Sequence, residues 1–148
     1  MAIGGNSPDN SKYFNMQRPG VNAVGSYQVS GYPFVTGSML SDDDLVKISF
    51  PGVVKSFTAA CHTPTKYIKI YFKNPSDNAV INQAHNWLTV SGSSGATVAP
   101  TRETMDVKCN ELYVVNDSGA TIEFELQASV TGIDPSSMFT LSGSGINV

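Results

Sequence analysis

Apolar and polar residues alternate with period two through the middle of this chain. The pattern is strictest over 121–130, where Ile122, Phe124, Leu126, Ala128 and Val130 interleave with Glu123, Glu125, Gln127 and Ser129. Successive side chains of a strand point to opposite faces, so this segment predicts a strand with one buried and one wet face. Residues 67–73 repeat the pattern: Ile68, Ile70 and Phe72 form one face, and Tyr67, Lys69, Tyr71 and Lys73 the other. Over 45–50, Val46, Ile48 and Phe50 oppose Leu45, Lys47 and Ser49. Residues 53–61 set Val53, Phe57, Ala59 and Cys61 on a common face. Pro51-Gly52 lies between those two runs and predicts a hairpin turn.

Weaker strand signals cover 87–91, 112–115 and the alternation Met105, Val107, Cys109. A short strand over 79–83 and an edge strand over 97–102 with Pro100 in it are also predicted. Turn chemistry separates the runs at Asn74-Pro75-Ser76-Asp77-Asn78, Gly92-Ser93-Ser94-Gly95 and Asn116-Asp117-Ser118-Gly119. No helical periodicity exceeds two turns. Short strands at a spacing of roughly 8–12 residues predict an all-β protein, an antiparallel β-sandwich or jelly-roll-like body over 42–131.

The two ends break the pattern. Residues 1–41 carry Tyr13, Phe14, Met16, Tyr27, Tyr32 and Phe34 together with six glycines and three prolines. Gly and Pro at that density disfavour helices and long strands, while the aromatics demand a surface to cover them. The segment therefore reads as an extended N-terminal arm, laid over its own domain or a neighbouring subunit, with those six residues as interface anchors. Ser41-Asp42-Asp43-Asp44 is a charged turn where the arm joins the domain. Residues 132–148 read as a second extended tail.

Composition strengthens the assembly reading. Of 148 residues only 14% are charged, against 41% hydrophobic, with a net charge of −3. Ordinary domains carry about 25% charged residues, and a sparse charge complement removes the repulsion that keeps a monomer apart from its neighbours. A homo-oligomer is expected. No run approaches the ~20 apolar residues that cross a bilayer, and the first ten residues lack the basic and apolar regions of a secretory signal. The expectation is a protein made in a reducing cytoplasm, with Cys61 and Cys109 free and buried and with the acceptor-like Asn116-Asp117-Ser118 unused.

Candidate chemistry adds little. Cys61 and His62 are adjacent, so a strand points them to opposite faces, which argues against a dyad. Cys61, His62, His85 and Cys109 lack zinc spacing. The three consecutive aspartates lack the alternate spacing of a calcium loop. Lys47, Lys55, Lys66, Lys69 and Lys73, with Tyr67 and Tyr71 among them, could track a nucleic-acid strand, but the overall charge is negative. Trp87, Tyr67, Tyr71 and Tyr113 could hold a sugar, although packing in the core or under the arm explains them as well. The sequence implies no enzyme, metal or cofactor.

One resemblance adds to this. The run Ala2-Ile3-Gly4-Gly5-Asn6-Ser7-Pro8-Asp9-Asn10, with Tyr13-Phe14-Asn15-Met16-Gln17-Arg18-Pro19-Gly20 and Gly25-Ser26-Tyr27-Gln28, resembles the opening of small virion structural proteins of tailed cyanobacterial phages. Ile48-Ser49-Phe50-Pro51, Val54-Lys55-Ser56-Phe57-Thr58 and Asp106-Val107-Lys108-Cys109 fit the same group. The resemblance covers about half the chain in patches. It implies a virion protein touching the major capsid protein or other virion chains: a capsid decoration or cement protein, or alternatively a tail, connector or receptor- or glycan-binding module.

Overall fold

The computed structural model describes residues 19–75 and 87–139. Tyr13, Phe14, Met16, His85 and the strand expected over 79–83 lie outside them. The described chain is all-β, a curled antiparallel sheet of seven strands. They are β1 (Tyr32–Leu40), β2 (Leu45–Cys61), β3 (Tyr67–Tyr71), β4 (Leu88–Ser91), β5 (Arg102–Met105), β6 (Cys109–Val115) and β7 (Ile122–Val130). The order across the sheet is β1-β7-β2-β6-β3-β4, and β5 also pairs with β2.

Alternation placed the inner faces of β3 and β7 correctly. Ile122, Phe124, Leu126, Ala128 and Val130 of β7 are all buried, as are Ile68 and Ile70 of β3. They share one core with Ile48, Phe57, Leu112 and Val114. Each fully buried aliphatic or Phe side chain contributes about 1.5–3 kcal/mol relative to exposure.

The expected hairpin at Pro51-Gly52 does not form. Residues 45–61 make a single strand of 17 residues that changes partners midway. Leu45 to Ser49 pair with β6, whereas Ser56 to Cys61 pair with β7, and Val54 sits between Cys109 and Val130 at the changeover. Pro51 has no N–H to give, which suits the interrupted ladder there. Gly52 is needed for a different reason: a β-carbon on it would stand 2.5 Å from the Thr131 carbonyl oxygen. Beyond it, the Val53 N–H donates to the Ile133 carbonyl at 3.0 Å, and the Thr131 N–H donates to the Val53 carbonyl at 2.9 Å. These bonds hold the bend against the segment that follows β7.

A register shift between Val54 and Ser56 then slips the parity of β2. Val54, rather than Val53, joins the core face with Phe57, Ala59 and Cys61. The two halves of β2 thus belong to two wings that curl over one core. Phe57 meets Phe72 edge-on at 6.0 Å, and Phe34 meets Phe50 at 5.1 Å.

Two further boundaries move. The strand expected over 97–102 lies later, at Arg102–Met105, paired with Ala60 to Phe57; residues 97–101, with Pro100, are irregular. More consequentially, the last part of the 1–41 segment is a strand of the sheet: β1 pairs with β7 over nine residues, Tyr32 opposite Val130 through Leu40 opposite Ile122. Pro33 is tolerated because β1 is an edge. Gly37 is required because a β-carbon there would lie 2.6 Å from the Phe124 carbonyl oxygen.

Candidate functional site

The proposed anchors divide into separate roles. Phe34 faces inward onto Phe50 and packs against the core, so it holds β1 to its own domain. Tyr27 lies in a one-turn helix, α1 (Val24–Gln28), and its hydroxyl donates to the Val21 carbonyl at 2.5 Å. Partial burial raises its phenol above the ordinary value. Two lysines of the domain clasp this segment. Lys55, aimed by the β2 bulge, donates to the Val29 carbonyl at 2.6 Å. Lys108 donates to Asn22 Oδ1 at 3.2 Å and stands 4.8 Å above the Tyr27 ring. Residues 21–29 therefore lie on their own domain, which answers one half of the arm's expected alternatives.

Tyr32 is different. It is 70% exposed, in line with Val35 at 68% and Met39 at 70%. All three project from β1, which has a strand neighbour on one side only among the described residues. A free edge presents unpaired backbone donors and acceptors, and proteins ordinarily blunt such edges with short strands or charges. The other edges follow that rule. β4 has four residues, and β5 carries Arg102 and Glu103. β1 is nine residues long with no charged side chain. Beside it a shallow cleft of about 580 Å³ opens between Pro19, Tyr32, Pro51, Ile133 and Pro135.

Behind this edge, on the outer face of β7, Glu125 gathers three partners. Arg102 Nη1 donates to Oε1 at 2.9 Å, His62 Nε2 lies 2.9 Å from Oε2, and Gln127 Nε2 donates to Oε1. The Arg102 bonds first, then those from His62 and Gln127, hold the Glu125 carboxyl down at about 2. The sequence reading missed this group because its members are 63 and 23 positions apart. Its carboxylate is spent on intramolecular bonds, which tie β5 and the residue that follows β2 to β7. Cys61, next to His62, points into the core, as alternation predicts for adjacent strand residues.

Three lysines of the lysine–tyrosine set have partners along that part of the sheet. Lys47 pairs with Glu111 at 2.6 Å; Lys69 pairs with Asp117 and stands 4.5 Å over the Trp87 ring; Lys66 donates to the Ser118 carbonyl at 3.2 Å. Tyr71 and Tyr113 are buried and pack with Trp87 and Val115. The aspartate turn is also occupied: the Gly119 N–H donates to Asp42 Oδ1 at 2.8 Å, and the Ser41 N–H to Asp44 Oδ2 at 3.2 Å. Asn116, the acceptor-like residue, is fully buried.

Compared with known proteins, the chain matches no protein-family model, and no curated protein and no solved structure is significantly similar to it.

Proposed function

We propose that this chain is a non-enzymatic structural protein of a virion, a capsid decoration or cement protein that stabilises the shell by bridging neighbouring subunits. The observation that carries the reading is β1: a long, uncharged strand with a neighbour on one side only among the described residues, and with Tyr32, Val35 and Met39 turned to solvent. Such an edge is suited to accept a strand from another chain, with backbone hydrogen bonds for affinity and side chains for specificity. Sparse charge and the resemblance of residues 2–28 to cyanophage virion proteins support the same reading. In it the curled sheet is a sandwich-like body. The major capsid protein or another virion chain is the partner, and the host cytoplasm is where the protein is made.

The test is imaging of labelled protein in native particles, together with the double variant V35K/M39K. Label on the shell and a severalfold loss of occupancy in the variant are expected. Label at the tail would move the protein to a tail or connector role. Absence from particles would end the reading.

A further inference from the structure

We infer that β1 pairs with β1 of a second copy, antiparallel about a two-fold axis through Gly37. The inference rests on reading β1 as an assembly surface and names its occupant.

The strand is complementary to itself. A two-fold interface sets each residue opposite another residue of the same strand. Centred at Gly37, the pairing sets Val35 opposite Met39 of the second copy and Met39 opposite its Val35. Gly37 faces Gly37, Phe34 faces Leu40, and Thr36 faces Ser38. Two of the three exposed apolar side chains of the strand, Val35 and Met39, thus cover each other, at 68% and 70% present exposure. The inward-facing Phe34 and Leu40 extend the two cores toward one another. Gly37 falls at the axis, opposite itself.

No like charges meet, because the strand has none. The nearest acidic groups on the neighbouring strand are Glu125, opposite Gly37, and Glu123, opposite Met39. Arg102 pairs with Glu125 at 2.9 Å, so the carboxylate opposite the axis residue is compensated within each copy. Pro33 falls near the ends of the paired stretch, where a missing donor forfeits least. A shift by one residue would move the axis off Gly37 and pair Val35 with Ser38, leaving the apolar side chains without each other.

Three proteins test this by sedimentation equilibrium over a concentration series: the full chain, V35K/M39K and V35K/M39E. Both positions lie on the solvent face of β1, and a thermal melt of each variant checks the fold. The wild type is expected to be a dimer. V35K/M39K places like charges opposite each other twice and should weaken the dimer by roughly a hundredfold or more. V35K/M39E places opposite charges across the same two contacts and should return to within about tenfold of the wild type. Amide exchange provides the second measurement: protection along β1 should rise with protein concentration in the wild type and not in V35K/M39K.

A monomeric wild type overturns the inference, as does a dimer that V35K/M39K leaves intact. Equal loss in both variants overturns the register and points to another occupant, such as a terminal segment of this chain. The function reading fails separately. A wild-type monomer that nonetheless loses particle occupancy on V35K/M39K sinks self-pairing and keeps the decoration role. A dimer behaving as expected but absent from particles does the reverse.

Discussion

The side-chain amide of Asn116 donates a hydrogen bond to the Leu40 carbonyl at 3.0 Å, across 76 positions of chain. The same nitrogen reaches the carbonyls of Ser41 at 2.9 Å and Ala120 at 2.7 Å, while its Oδ1 accepts from the Ser118 N–H and hydroxyl. One fully buried side chain thus closes the turn that ends β1 and the turn between β6 and β7.

Asn116→Ala should therefore destabilise the fold by about 3 kcal/mol, since it strands several buried carbonyls and removes both turn clamps. Asn116→Asp should cost at least as much despite its similar shape, because it deletes the donor and introduces a buried charge among oxygen acceptors. Urea unfolding of the two variants measures this. A loss under about 0.5 kcal/mol, the range of ordinary surface substitutions, would show that the clamp is dispensable.

Gly52 marks the bend in β2, and its missing side chain makes room for the Thr131 carbonyl. Gly52→Ala should cost about 1–3 kcal/mol as the β-carbon pushes the two segments apart. Hydrogen exchange should show the damage first at the Val53 and Thr131 amides, whose bonds cross the bend. Uniform loss of protection would mean the bend is not where strain is relieved.

Glu125 links acid stability to the outer face of β7. Its folded-state value of about 2 lies below its ordinary 4.5. The contribution is therefore fully present above pH 4.5 and is lost as pH falls toward 2. Glu125→Gln should be less stable than wild type at neutral pH, and the gap should narrow through that window. Paired denaturation curves at several pH values test the sign. A gap that widens on acidification would contradict the assignment.

Cys61 and Cys109 are buried and unpaired with each other. Burial raises both thiols, Cys109 up to about 12. At pH 8 about one Cys109 in ten thousand is then thiolate, and access is blocked besides. A thiol reagent should leave the native protein unlabelled for hours and label both residues at once in urea. Rapid labelling of the native protein would show that the core opens.

Comparison of particular elements shows why some features were legible in the sequence. β7 and β3 could be read because each carries one uninterrupted period-two pattern whose inner residues enter the core. β2 could not, because Pro-Gly permits both a tight turn and a partner switch, and the residues themselves do not choose. β1 was hidden under its Gly and Pro content, which discourages strands in general but is tolerated at an edge where Pro33 needs no donor and Gly37 lies close to Phe124. The aromatic anchors were recognised as a group, yet Phe34 went to the core and Tyr27 to a clasp by Lys55 and Lys108. The Glu125 cluster left no local signal at all.

The sequence by itself determined which side of each regular strand is wet, because an extended backbone alternates its side chains whatever surrounds it. Only the tertiary structure decided which strands are neighbours, where β2 bends, and that β1 has a strand neighbour on one side only among the described residues. Those outcomes depend on contacts between segments dozens of residues apart, such as Asn116 with Leu40 and Glu125 with Arg102. Such contacts are set by how the whole sheet closes over its core rather than by any local run of residues.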